Sequence, residues 1–378
     1  AGGVGAIDRT DPRWARAFTP VPEGDDEIAA WIRAGDALVQ EYARLNGGRL
    51  ADYAVSHAGA LAFPRTFQLL ADGGTLAFYG ASSGYHFTFT GKAGSASPEE
   101  MMRRAGVRAG EAVLVYYGPR SAELVDAVGL EMIEAVRAFG ARCVVATTTD
   151  GQREFVQSLG FEDAVAGIVS LEELGRRVHG FSWPTTMPQL PDAKTDIEAF
   201  KVAVRDFQDH TLKPFGSAVG ALLRSPDNPR GAPDVVLERA GHDALGTSTS
   251  LVKPFTGRVL YSEDCSGRRF AFYAPQVWTR QRRILMPTAT IAGTHLCNAY
   301  EVARMNDMIA AGLLEVTEPT VVPWAELPTA HQAMWENRHA GANYVVNHAL
   351  PALGLRGRDA LLEAWAAMAP GSGAEAGA

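Results

Sequence analysis

The chain has 378 residues, 47% of them apolar and 21% charged, with a formal net charge of −8. That length accommodates two or three domains with their own cores, and the acidic balance excludes a nucleic-acid surface, which needs a basic stripe. No apolar run reaches the ~18 residues of a membrane helix, no signal-peptide pattern opens the chain, and Cys143, Cys265 and Cys297 lack any CxxC spacing, so neither a zinc site nor a disulfide framework is expected and a reducing cytoplasm is.

In chain order, "AGGVGAIDRTD" reads as the middle of a domain, and the expectation is an amino-terminal truncation. "ADYAVSHAG" (51–59) is then answered by "PDVVLERAG" (233–241), with Asp52 opposite Asp234, 182 residues on (234 − 52). "GGTLAFYGASSGYHFTF" (73–89) is answered by "TGRVLYSEDCSGRRFAF" (256–272) at an offset of 183 (257 − 74), one residue having entered the intervening helix. Each copy predicts strand, amphipathic helix and a β-branched and aromatic strand, a unit whose parallel strands need a right-handed crossover.

The second copy has a longer lead-in. "EAVLVYYG" (111–118) predicts a strand, residues 127–141 a helix and "RCVVATTTD" (142–150) a strand; Asp150 caps the next helix and "EDAVAGIVS" adds an edge. Residues 171–231 form an insertion with a proline-rich loop and a helical stretch (195–223) broken before Pro214. Strand, turn and helix follow over 290–314, then strand–helix–strand over 318–348, and the tail "PGSGAEAGA" is too rich in small residues to order itself. The expected fold is α/β, with tandem Rossmann-like doubly wound parallel sheets of which the first is incomplete. Its expected parts are residues 1–95, 96–315, a return segment at 316–350 and a helix and tail at 351–378.

Candidate chemistry concentrates in loops. A dinucleotide site wants glycines directly after the first strand, but "PRSAELVDAV" separates Gly118 from Gly129. That is either an expanded phosphate loop using Arg120 and Ser121, or a copy that has lost its cofactor and only packs. Thr149 and Asp150 end the strand where ribose selectivity is set; Asp150 would favour NAD, Arg153 a 2′-phosphate, and capping explains Asp150 equally well. Gly80, Ser82, Ser83 and Gly84 form a strand-end loop suited to a ligand or simply to a turn, and Gly241 closes the other copy's strand. In "GTHLCN" (293–298), Asn298 reads as a helix N-cap with Glu301 completing a capping box. His295 beside that helix start is expected as a neutral imidazole, able to order water or donate to an oxyanion, or merely bonded to a carbonyl. Arg280, Arg282 and Arg283 form either a solvated face or a phosphate contact.

With these pieces placed, "W-x-R-Q-R-R-I…G-T-H-L-C-N" and "SHAGALAFPRTFQLLADGGTLAFYGASSGY" resemble the medium-chain dehydrogenase/reductase superfamily, on its zinc-independent 2-enoyl-CoA reductase branch with the crotonyl-CoA carboxylase/reductases. The ending "MWENRHAGANYVVNHALPALGLR" resembles that family's return to a GroES-like catalytic lobe. The resemblance implies NADPH (NADP) as cofactor and an acyl-CoA thioester as substrate, with hydride transfer to the β-carbon of acryloyl-CoA to give propionyl-CoA. It makes His295 and Asn298 the catalytic candidates; Arg280, Arg282 and Arg283, read as a phosphate contact, are the substrate candidates. It also implies a homo-oligomer or fusion to further catalytic domains, with the fragment inactive alone. Competing readings are a non-catalytic scaffold or dimerisation module and a quinone reductase of the same superfamily.

Overall fold

The computed structural model describes residues 5–14, 17–91, 96–119, 121–183, 190–191, 195–240, 242–261, 269–295, 299–314, 319–336, 338–339 and 344–347. The chain divides into two compact units, residues 1–295 and 296–378. In the first, helices α1 (Asp25–Ala34) and α2 (Asp36–Leu45) precede β1 (Ala51–Ser56), α3 (Phe63–Gln68), β2 (Leu70–Phe78) and β3 (His86–Thr90). Next come α4 (Pro98–Arg104), β4 (Ala112–Tyr117), α5 (Ala127–Ala138), β5 (Arg142–Thr147), α6 (Asp150–Gln157), β6 (Val165–Ser170) and α7 (Leu171–Arg177). Then follow α8 (Ile197–Phe207), α9 (Lys213–Leu223), β7 (Val235–Glu238), α10 (His242–Leu251), β8 (Arg258–Tyr261) and β9 (Arg269–Tyr273). The unit closes with α11 (Ala274–Trp278), β10 (Arg283–Leu285) and β11 (Ala289–Gly293).

Nine of these strands make one sheet, in the order β1-β2-β11-β10-β8-β7-β4-β5-β6. Every neighbouring pair is parallel except β10 with β11. From β6 to β10 the order is that of a complete doubly wound sheet, 3-2-1-4-5-6. The remaining strands β1, β2 and β11 correspond to positions 4, 5 and 6 of a second such module. The α/β expectation holds, and the structure adds two features to it. The two sheets are joined edge to edge, and the modules are nested: β11, the last strand of the first, arrives only after the second is complete.

The repeat sets the register of that junction. Leu76 in β2 and Val259 in β8 are 183 residues apart; Leu76 pairs with Ile291, Val259 with Ile284, and Ile284 pairs with Ile291. In the separate β3–β9 ladder, Phe87 faces Phe272 and Phe89 faces Phe270 on either side of the central pair Thr88–Ala271, whose members are again 183 apart. Both antiparallel ladders are therefore centred on residues that the repeat exchanges, which is the signature of a two-fold contact. An aromatic core lies across it: Phe63, Phe78, Phe87, Phe89, Phe270 and Phe272 are 0–1% exposed.

Within the insertion the helical run does not stop before Pro214. It passes through a π-turn at Gln208–Leu212, and the proline sits in the first turn of α9, where its missing N–H costs no ladder bond. Helix α9 packs against β5 and β6, and its Phe215 stacks on Tyr116 of β4. In the second unit α12 (Ala299–Ala310) precedes a parallel pair, β12 (Thr320–Pro323) with β13 (Tyr344–Asn347), and α13 (Leu327–Trp335) connects them. The tail at 351–378 lies outside the described residues. No helix among the described residues is long and apolar enough to cross a membrane, and no His/Cys/Asp/Glu group there could hold a metal ion.

Candidate active site

In a doubly wound sheet, ligands enter the crevice at the carboxyl ends of strands 1 and 4, here β4 and β7. Its floor is Gly118, at φ +55. The Gly118 N–H donates to Asp126 Oδ2 at 2.7 Å, and the same carboxylate takes Arg239 Nη1 at 2.5–2.6 Å. Their side chains are 13% and 10% exposed, so this is a nearly buried ion pair. Asp126 occupies the N-cap of α5 but makes no side-chain bond to the helix.

Gln152, fully buried, fills the other side: its Oε1 accepts from the Thr148 and Thr149 N–H groups at 3.0 and 3.1 Å. Its Nε2 donates to the Ser121 and Glu123 carbonyls at 2.7 and 2.9 Å. A Cβ at Gly118 would lie 2.2 Å from Gln152 Nε2, and one at Gly129 2.4 Å from Asp126 Oδ2. The glycines make room for the chain's own side chains, and the negative charge a pyrophosphate would bring to the α5 terminus is already present as Asp126.

Around the rim, Thr149 rather than Asp150 caps α6, in a capping box with Gln152. Asp150 begins the helix and pairs with Arg176 and, at 3.4 Å, with Arg153; Arg153 also pairs with Glu173. The Ser170 hydroxyl and then Arg176 hold the Asp150 carboxyl below its ordinary range. Ser121 bonds locally, donating its N–H to Gly118 O and accepting from Glu123 N. Arg120 and Gly241 lie outside the described residues. Sequence reasoning missed Asp126, Gln152, Arg239 and buried Glu238, which accepts from Ala240 N and the Ser248 hydroxyl next to Tyr116. The repeat held the signal: Glu238-Arg239 stand where the first copy has Ser56-His57.

The first module differs at those positions. Ser56 of β1 is in register with Phe78 of β2, and Phe78 with Gly293 of β11, so three parallel strands end on one row. Beyond it lie His57, Tyr79 and Thr294, then Ala58, Gly80 and His295. Neighbouring strands are ~4.8 Å apart, so the row spans roughly 10 Å. Thr294 donates N–H and hydroxyl to Phe78 O at 2.9 and 3.2 Å, which fixes the turn ahead of His295. The His295 imidazole is exposed, and its carbonyl accepts from Gln281 Nε2 at 2.6 Å.

His57 and Tyr79 stack at 5.8 Å. Gly80 has φ +59 and open space where a Cβ would be, so a ligand can approach its backbone. Ser82 and Ser83 turn their hydroxyls onto Ala58 O at 3.0 and 2.6 Å, while Gly84 O accepts from Ala60 N; they fix the loop. Asn298 lies outside the described residues.

The three arginines do not act as one group. Arg282 is 5% exposed, and its guanidinium donates to the Thr249, Gln276 and Ser250 carbonyls at 2.6, 2.9 and 3.1 Å. Burial, then Arg280, pulls its pKa down to about 10. Arg280 and Arg283 are exposed, Arg283 on β10.

No family model matches the chain. It is similar to the crotonyl-CoA carboxylase/reductase of Cereibacter sphaeroides, 24% identical over 237 residues, which is 63% of this chain and 47% of that one. The chain thus spans about half the length of the curated relative it matches. Similar solved structures include a crotonyl-CoA carboxylase/reductase (21% identity, 71% of this chain, 54% of that one, TM-score 0.38). Another is the crotonyl-CoA carboxylase/reductase AntE in complex with NADP (23%, 67%, 55%, TM-score 0.38). A third is the 2-octenoyl-CoA carboxylase reductase CinF in complex with NADP and 2-octenoyl-CoA (19%, 72%, 52%, TM-score 0.34). These superpositions are partial. The branch resemblance read from the motifs is borne out by the relative found.

Proposed function

We propose that this chain is part of an NADPH-dependent reductase of 2-enoyl-CoA thioesters, acting on substrates of the acryloyl-CoA type. Its share of the active site is the strand-end row of the first module. The observation that carries this reading is the register Ser56–Phe78–Gly293, which brings His57, Tyr79, Gly80 and exposed His295 to one open edge. The similarity to a crotonyl-CoA carboxylase/reductase supports the chemistry.

The two modules divide their tasks. The second does not fit a dinucleotide, because Asp126, Arg239 and Gln152 fill its crevice; its role is structural, and Gly118, Ser121, Gly129, Thr149, Asp150 and Arg153 serve that packing. The first fits at the nicotinamide end: Gly80 leaves its backbone open, and the His57–Tyr79 stack offers a flat wall.

NADPH held at that end would supply a hydride to the β-carbon of the enoyl thioester, and the C=C π pair would move onto the thioester carbonyl as an enolate. This chain's residues then serve that enolate. The His295 imidazole donates a hydrogen bond to its oxygen, or holds the water that protonates the α-carbon. Thr294, pinned to Phe78, sets the direction of that ring. Ser82, Ser83 and Gly84 keep the facing loop in place.

In the protein expressed from its complete coding sequence, His295→Ala should lower kcat for acryloyl-CoA reduction by about 100-fold, the scale of a lost acid–base or donor group. The melting temperature should stay put, because the ring is exposed. Activity within about threefold of wild type would remove His295 from the mechanism.

A further inference from the structure

The repeat equates β1 with β7 and β2 with β8, yet the two pairs meet different surroundings. On one face the match is complete: Leu76 and Val259 are 0% exposed, and Phe78 and Tyr261 are 0% and 6%. On the other it fails. Val235 and Leu237 are 0% and 1% exposed, packed with Met101 and Met102 of α4 and Met132, Ile133 and Val136 of α5. Their counterparts Tyr53 and Val55 are 81% and 72% exposed.

The strand edge fails in the same way. β7 has β4 alongside, with Val113 opposite Val235 and Val115 opposite Leu237. Asp234 closes that pairing at its start: its N–H donates to Ala112 O at 2.7 Å, and its Oδ2 accepts from Ala112 N at 2.9 Å. Asp52, its counterpart, has a side chain 62% exposed and paired laterally, to Arg49 at 2.9 Å. Among the described residues no strand occupies the outer edge of β1.

We infer that the outer edge and uncovered face of β1 bind a parallel β-strand followed by an amphipathic helix, supplied by polypeptide outside residues 1–378. The repeat specifies the occupant. Its strand is a near-continuous apolar run like "AVLVYY" of β4, because it is buried on both faces. Its first N–H meets the Asp52 carboxylate, as Ala112 meets Asp234. Its helix lies over Tyr53 and Val55, as α5 lies over Val235 and Leu237. A bare edge flanked by two large apolar side chains is otherwise an aggregation template. A second copy of this chain does not meet the specification, since two β1 edges related by a two-fold axis pair antiparallel and leave Asp52 without its N–H.

The inference rests on the repeat and not on the reductase reading, so an inactive protein could still satisfy it. The test replaces Tyr53 by photoreactive p-benzoylphenylalanine in the protein expressed from its complete coding sequence, followed by irradiation and mass-spectrometric mapping. The expected adduct is a peptide from outside residues 1–378 that contains an apolar run leading into a helical pattern. Its yield should fall several-fold when Asp52→Ala is added. No adduct, or one within residues 1–378 of the same or a second copy, overturns the proposal. Backbone exchange at Tyr53–Val55 gives a second readout: it should be slower in the complete protein than in the isolated chain, and equal rates would contradict the docking.

Discussion

His86 of β3 sits against Tyr273 in the β3–β9 ladder, and its Nε2 is buried without a hydrogen-bond partner among the described residues. Burial, and then repulsion from Arg269, holds its pKa down at about 4. The fold therefore keeps the imidazole neutral, while the unfolded chain takes up a proton below about 6.5. Because the unfolded state binds more protons in that window, stability is fully present above pH 6.5 and drains away as the pH falls towards 4. At pH 4.5 this amounts to roughly 2–3 kcal/mol. Urea unfolding of wild type and His86→Phe at pH 7 and 4.5 checks it: the variant should lose less stability on acidification by about that amount, and parallel losses would show that His86 is not the group responsible. Individual residues were also where the sequence misled most. In "WTRQRRI" three arginines look alike, but Arg282 alone folds inward onto three carbonyls. Two of those carbonyls belong to α10, more than thirty residues away, and the third to α11, so the sequence around the arginines does not single it out.

At the scale of elements, strands and helices followed their periodicity closely. The apolar run 112–117 and the helix 127–138 formed as their patterns require. The exceptions have physical causes. A helix boundary was expected before Pro214, yet a π-turn lets the chain continue without the missing N–H. Asp150 was expected as a cap, but Thr149 with Gln152 closes both ends of a capping box and wins the position. The β11 strand depends on one close approach: a Cβ at Gly293 would lie 2.4 Å from Val277 O of α11. Gly293→Ala must push that strand off the helix and disturb the turn into His295. We expect a stability loss of roughly 1–3 kcal/mol, as for overpacking, with a fall in activity beyond what the melting temperature explains. Unchanged unfolding curves would mean that β11 and α11 are not packed so tightly.

Over the whole molecule, the internal repeat was legible from Asp52 and Asp234 and from the paired glycines, and its offsets of 182 and 183 recur in the strand register. Two things were not. The short run "ATIAG" carries no mark of which half it joins, so the nesting of one module within the other could not be read. The filled crevice depends on Asp126 and Arg239, 113 residues apart, and on a glutamine in a neighbouring helix. Nested modules meeting about a local two-fold axis let the copy whose crevice is filled complete the sheet on which the other copy's loops stand.

Backbone hydrogen exchange of the protein expressed from its complete coding sequence, with and without NADP, tests this division most directly. The account predicts slower exchange on NADP binding at residues 57–61, 79–85 and 293–295, with no change at 118–129 or 148–153. Protection at 118–129 and 148–153 instead, with the first set unaffected, would contradict it.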